Sequence, residues 1–223
     1  MSNPLGIDLG PFDFLDLGCG SGRSLTQAAA RFGASRGLGI DLSQAKVEAA
    51  QEAGVDVICA NAAMLAVDDQ VRFTTMVDFL EHLPDLASVE AVIASAARAS
   101  TDFLFISHPS FEGEDYLREL GLQQYWWGWR GHPAHITVSD YCRMLDRLAL
   151  RQYMIRYVEP IHDSQDPSVL SADEPADQHP YDAAIHTSKR PVMFRRPIWR
   201  AQEIFVALRA FEPAEWSAIT ADR

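Results

Sequence analysis

The sequence predicts a doubly wound α/β fold built on one mostly parallel sheet of seven strands. Three observations predict it. Short apolar runs alternate with helix-period segments through the first 110 residues. The breaks between them carry helix caps and turn residues where a strand–helix–strand crossover needs them. A glycine-rich run, Phe14-Leu-Asp-Leu-Gly-Cys-Gly-Ser-Gly22, follows the first apolar strand directly.

Phe12 to Leu17 reads as the first strand, and Gly22 to Ala30 as a helix stopped by Gly33. Arg36 to Ile40 is the second strand. Ser43 is an N-cap for a helix running to Ala53, with Gly54 in the C-cap position. Val55 to Ala60 gives a third strand, Phe73 to Phe79 a fourth, Pro84 to Arg98 a helix, and Phe103 to Ser107 a fifth strand. Parallel strands joined this way need right-handed crossovers. Pro109 to Ile136 is a long connection holding Tyr125, Trp126, Trp127 and Trp129. Thr137 and Asp140 form a capping-box pattern ahead of a helix to about Leu148. Gln152 to Val158 is the sixth strand and Gln202 to Arg209 the seventh. Between them, residues 159–198 carry six prolines and no clear period. They read as an insertion or lid within a single domain over residues 1–223.

The formal net charge of −12 repels phosphate backbones, so no nucleic-acid partner is expected. Arg190, Arg195, Arg196 and Arg200 are the best material for a local basic patch, and loose arginines are usually solvated surface. No apolar run is long enough to span a bilayer, and Met1 to Gly6 lacks the form of a signal peptide. No membrane partner is expected. Cys19, Cys59 and Cys142 are sparse and odd in number, which fits free thiols in a cytoplasmic protein. A homodimer is allowed.

The glycine run places a backbone without side chains at the C-terminal edge of the sheet, where open α/β sheets bind ligands. Taken alone it is as consistent with a tight strand-to-helix turn. Its spacing is G-x-G-x-G, and Arg23 stands where the dinucleotide fingerprint requires a third glycine. That disfavours a nicotinamide-dependent oxidoreductase. Asp41 follows at the end of the second strand, in Gly37-Leu-Gly-Ile-Asp41, where a carboxylate can accept both hydroxyls of a ribose.

With these residues the chain resembles the class I S-adenosylmethionine-dependent methyltransferases, which have a Rossmann-like fold. Leu15 to Gly22 is similar to their first motif and Gly39-Ile-Asp41-Leu-Ser43 to their second. Asn61-Ala62 stands where the family usually has Asp-Ala. Val77-Asp-Phe-Leu-Glu81-His82-Leu-Pro84 resembles the subgroup that carries a Leu-Glu-His segment after strand four. Gly131-His132-Pro-Ala-His135-Ile-Thr137 resembles that subgroup's stretch after strand five. The resemblance implies S-adenosylmethionine as cofactor, S-adenosylhomocysteine as product, and methyl transfer to a small-molecule oxygen or nitrogen. It implies a cofactor set of Asp16, Gly18, Cys19, Gly20, Gly22, Asp41, Leu42, Asn61, Ala62 and Asp78. Asp16 and the Gly18 and Gly20 backbone would hold the methionine part and Asp41 the ribose. Leu42 would pack on the adenine, Asn61 would accept from its amino group, and the Ala62 N–H would donate to its ring.

Methyl transfer from a sulfonium needs in-line positioning and, for O- or N-acceptors, removal of a proton. Histidine suits that second task. His82, His108, His132 and His135 fall in predicted loops at the cofactor edge, and His82 and His135 are the first choices for base or substrate contact. Any single one of them is more often a loop histidine bonded to a backbone carbonyl. Glu81 with His82, and Asp78 nearby, could be metal ligands. Adjacent residues at a strand end point to opposite sides, however, so no metal is expected. A cofactor-binding module without catalysis, working through a protein partner, is the competing reading from another class.

Overall fold

The structure, a computed structural model, describes residues 8–68, 70–175 and 177–221. The central sheet has seven strands: β1 (Phe14–Leu17), β2 (Gly37–Asp41), β3 (Val57–Cys59), β4 (Val71–Val77), β5 (Ser100–Pro109), β7 (Tyr153–Asp163) and β9 (Met193–Ala207). Their order is β3-β2-β1-β4-β5-β9-β7. The first five pair in parallel, and β9 runs antiparallel to both β5 and β7. The strand order reverses between β1 and β4. The loops leaving those two strands therefore diverge and open a crevice at the C-terminal edge.

Helices α1 (Arg23–Phe32), α2 (Gln44–Glu52), α3 (Leu86–Ala99), α4 (Glu114–Glu119), α5 (Val138–Arg147) and α6 (Pro213–Ile219) complete the described chain. Successive side chains of a strand point to opposite faces, and here both faces are apolar. Leu15, Leu17, Ile40, Leu104 and Ile106 pack with Val89, Val92 and Ile93 of α3 and Tyr141 and Met144 of α5. The alternate residues Phe14, Phe73, Phe103, Phe105 and Phe205 pack with Leu25 and Ala28 of α1. The Phe14 and Phe73 rings stack at 4.8 Å between centroids, and so do those of Phe73 and Phe103. One aromatic row thus crosses three strands.

Caps fall where the sequence places them. Gly33 ends α1 with φ 63°. The Thr137–Asp140 capping box opens α5 with both reciprocal bonds formed. Ser43 precedes α2 as expected, but its hydroxyl makes no cap bond. Its N–H donates instead to Asp41 at 2.8 Å.

The second half of the chain is more ordered than its sequence suggests. The aromatic connection contains α4 and the short strand β6 (Leu122–Gln124). Strand β6 pairs antiparallel with β8 (Val169–Ser171), which lies inside the expected insertion. Strand β7 runs on to Asp163 and β9 begins at Met193, so the stretch between these two sheet strands narrows to residues 164–192. The Trp126 and Trp127 indoles are buried and both donate to the Ser110 carbonyl at 3.0 Å, which gives these two rings a packing role.

Glu203 on β9 ties the sheet to α1. Its carboxylate accepts from Arg31 at 2.7 Å and from Arg156 at 2.5 Å. The two cations together hold its pKa below the usual range against the opposing effect of burial. Removing that anion leaves two guanidinium groups facing each other in a poorly solvated place. Glu203→Ala is expected to lower unfolding stability by about 2 kcal/mol in urea titrations, with the midpoint moving and the slope unchanged.

His108 at the end of β5 does not line the rim. It is fully buried, with Nδ1 donating to the Pro109 carbonyl at 2.8 Å and Nε2 accepting from the Tyr141 hydroxyl at 2.7 Å. The Gln202 amide also donates to that Nε2, at 3.1 Å. Burial holds its pKa down at about 4. The folded state therefore binds fewer protons than the unfolded state between pH 6.5 and 4, and stability falls as pH drops through that window. The contribution reaches about 3 kcal/mol at its acid end. Guanidinium titrations at stepped pH should show His108→Gln with a shallower decline than the wild type. Parallel declines would remove His108 as the source.

Candidate cofactor site

The glycine loop is shaped by φ values that side chains rarely allow. Gly18 has φ +75° and Gly22 φ +86°. A Cβ on Gly18 would lie 2.3 Å from the Phe79 ring, and one on Gly22 2.8 Å from Val55. Only glycine lets the backbone lie this close under Phe79. The loop is then fastened to β2. Gly18 and Cys19 donate their N–H groups to the Ile40 carbonyl, and the Gly20 N–H donates to Asp41 Oδ2 at 2.8 Å. Asp41 Oδ1 accepts the Ser43 N–H at 2.8 Å. One carboxylate therefore joins the glycine loop to the start of α2. Each of its oxygens keeps further acceptor capacity.

A cavity of about 290 Å³ opens at this edge. Gly18, Asp41, Leu42, Asn61, Ala62, Asp78 and His82 line it, together with Ile40, Lys46, Ala60, Phe79 and Leu83. Leu42 is 68% exposed, a large apolar side chain left uncovered at the cavity wall. Asn61 precedes a 3₁₀ turn over Ala62–Met64, and its Oδ1 accepts the Ala63 N–H at 3.0 Å. That bond fixes the amide and leaves its NH₂ group as the more available partner. The family resemblance implies the acceptor role for Asn61. Asp78 follows β4 with φ +47°. Its outer edge meets solvent, yet the surrounding walls push its pKa up while His82 pulls it back.

Four residues of the expected cofactor set sit outside the lining. Asp16 is fully buried below the loop, where it accepts from Ser24 Oγ at 2.6 Å and Thr75 Oγ1 at 2.7 Å. Burial pushes its pKa up to about 6 against those two bonds. It braces the loop from beneath. Cys19 is buried with its sulfur against Gly39, and burial raises its pKa to about 12. Gly20 reaches the site through its N–H on Asp41, and Gly22 caps α1. The sequence assigns no site role to the supporting residues Ser24 and Thr75 or to the lining residues Lys46 and Phe79. Phe79 carried a signal there, since a glycine beside a strand end implies something packed over it.

The two histidines chosen from sequence part company. His82 lines the cavity and shares a 2.6 Å hydrogen bond between its Nδ1 and the Gly131 carbonyl. His135 stacks on Phe111 at 4.6 Å and lines a different cavity with Glu114, Trp127 and Gly128. His132 is the one that turns toward His82, at 4.9 Å between ring centroids. Residues 80–82 form a 3₁₀ turn, so Glu81 and His82 do not point to opposite sides as strand neighbours would. Glu81 is fully buried, and burial pushes its carboxyl up to about 8. Burial also lowers His132 to about 4.

Residues 14–101 match the family described as a methyltransferase domain. The chain is 38% identical over 119 residues to a ubiquinone biosynthesis O-methyltransferase from Pseudoalteromonas translucida, covering 46% of this chain and 50% of that protein. It is 30% identical over 161 residues to a protein of the same name from Aeromonas salmonicida, covering 66% of this chain and 65% of that protein. The matched region thus spans half to two thirds of these relatives' length. A SAM-dependent methyltransferase structure from Archaeoglobus fulgidus superposes with a TM-score of 0.60 at 15% identity, covering 88% of both chains. One from Clostridium acetobutylicum gives 0.52 at 12% identity, covering 89% of this chain and 84% of that one. These two likenesses concern the fold.

Proposed function

We propose that this chain is a class I S-adenosylmethionine-dependent methyltransferase and that it methylates an oxygen of a small-molecule acceptor; the methyltransferase-domain match over residues 14–101 and the likeness of fold support the reading. The observation that carries the proposal is the single cavity that joins Gly18, Asp41, Leu42, Asn61, Ala62 and Asp78. Its chemistry fits a nucleoside carrying an amino acid. A carboxylate with spare lone pairs suits ribose hydroxyls, an uncovered leucine suits an adenine face, and a fixed amide suits the adenine edge. The Gly18 backbone and the Asp78 carboxylate suit the amino-acid end. S-adenosylmethionine, when bound, supplies an electrophilic methyl group on a sulfonium that leaves as a neutral thioether. The chain's own task is to align the acceptor and receive its proton. His82 and His135 are our candidates for base or substrate contact, and His82 is the one that lines the cavity.

Oxygen is favoured over nitrogen because the curated relatives are O-methyltransferases by name. The proposal includes a cytoplasmic protein, acidic enough to keep away from nucleic acid, and able to form a homodimer. It also treats the chain as one domain in which residues 159–198, including β8, border the acceptor entrance. Among the described residues no helix is long and apolar enough to cross a membrane.

The test is turnover. S-adenosylmethionine and a panel of phenols, catechols, amines and carboxylic acids are offered, and S-adenosylhomocysteine and methylated product are read by mass spectrometry. Methylation of a hydroxyl compound supports the proposal. Cofactor binding without turnover anywhere on the panel favours the non-catalytic binding module instead. His82→Ala and His135→Ala with cofactor affinity retained divide the roles, and unchanged turnover in both would dismiss both.

A further inference from the structure

We propose that Glu81, His82 and His132 form a binding site for a divalent transition-metal ion of the zinc type, at the wall of the cofactor cavity. Their candidate ligand atoms all lie within 4.8 Å of one another. The ligand atoms of a tetrahedral zinc site lie about 3.4 Å apart, so a small inward rotation of these side chains brings them to three of its four corners.

Three independent features point to an ion. Both Glu81 carboxylate oxygens are buried without a partner, and so is His132 Nδ1. Buried charged or polar groups are ordinarily paired, because leaving one unpaired costs several kcal/mol. Here two such groups face the same small space. The second feature is His82. Its 2.6 Å contact from Nδ1 to the Gly131 carbonyl fixes the tautomer with the proton on Nδ1. That leaves Nε2 with a free lone pair, the usual arrangement of a metal-bound histidine with its second nitrogen anchored to a carbonyl. The third feature is the local backbone. The 3₁₀ turn over Leu80–His82 brings two adjacent side chains to one ion, and the loop around Gly131 delivers the third.

Two imidazoles and one carboxylate suit zinc or a similar transition ion better than magnesium or calcium, which prefer all-oxygen sets. Three protein ligands leave at least one open position. His82 lines the cofactor cavity, so that position lies beside it. If the methyl-transfer reading holds, the open position takes the acceptor hydroxyl and lowers its pKa, so that its proton passes to solvent water, and His82 then contacts the substrate through the ion rather than as the base. Ion binding itself does not depend on that reading.

The experiment uses the full chain, free of any histidine tag and stripped with a chelator. Co²⁺, a coloured stand-in for Zn²⁺, is titrated while visible absorption is followed, then displaced by Zn²⁺, with Mg²⁺ in a parallel arm. The expected result is a saturable band at one ion per chain, reversed by Zn²⁺ and not by Mg²⁺. Glu81→Gln and His132→Ala should each weaken it by at least about 100-fold. His162→Ala, at an exposed histidine elsewhere, should leave it unchanged. Because Glu81 and His132 are buried, His82→Ala at an exposed position gives a variant whose folding is not at stake, and it too should lose the band. Absence of a band in the wild type overturns the proposal, as does a band that survives in both His82→Ala and Glu81→Gln. Calorimetry with S-adenosylhomocysteine on the same samples separates the two readings. Nucleoside binding without the cobalt band defeats the ion site alone, and the band without nucleoside binding defeats the methyltransferase reading alone.

Discussion

Gly18→Ala should abolish measurable S-adenosylhomocysteine binding and lower stability by about 3 kcal/mol. Two effects add. At φ +75° a side chain costs about 1 kcal/mol in backbone strain. The new Cβ also falls 2.3 Å from the Phe79 ring, which has to leave its place at the cavity wall. Gly33→Ala is the matched comparison. It has φ +63° and nothing within 4 Å of the added carbon, so it should show the strain alone. Adding Phe79→Ala to Gly18→Ala removes the ring but keeps its Cβ at 2.6 Å, and should restore stability in part. Calorimetric titration and urea unfolding check both quantities. Equal losses in the Gly18 and Gly33 variants would show that the close approach of Phe79 has no role.

Asp41→Ala should weaken S-adenosylhomocysteine binding by close to three orders of magnitude, about 4 kcal/mol, while the fold survives. Two hydrogen bonds from ribose hydroxyls to a carboxylate are worth about 2 kcal/mol each. The variant also releases the N–H groups of Gly20 and Ser43 that the carboxylate now receives. Asp41→Asn is informative beside it. Its single carbonyl oxygen can still take one of those donors, so an intermediate loss is expected. Affinity within tenfold of wild type in Asp41→Ala would remove the ribose from this end of the cavity.

The glycine loop, the strand alternation and Asp41 were legible because each is a local rule. A strand, a turn that needs glycine and a carboxylate one strand later occupy a short stretch of chain. Long-range features were hidden. Strands β6 and β8 are three residues each and find one another across more than forty residues. No local period announces such a pair. The sequence predicts the last strand only from Gln202, because the run of prolines ending at Pro197 reads as an insertion. In the structure that proline lies where the β7–β9 register shifts, between Ile161 and Asp163 on the partner strand. Prolines are tolerated at irregularities of this kind. The histidine pair shows the limit most clearly. His132 and His135 stand three residues apart in one loop. Which of them meets His82 depends on the Gly131 carbonyl and the packing of Trp129, and spacing encodes neither. Glu81 was passed over on the premise of an extended strand end, and the 3₁₀ turn there is too short to carry a periodic signal.

Strand β7 closes one side of the sheet and, among the described residues, pairs only with β9. It carries Pro160, which has no N–H to offer, directly after Glu159 in a left-handed conformation with φ +57°. A second chain approaching along that margin finds the ladder of donors interrupted and the strand bent. The margin is therefore a poor template for adding strands from other molecules. Crowded copies of this protein should resist fibrillar self-association through β7.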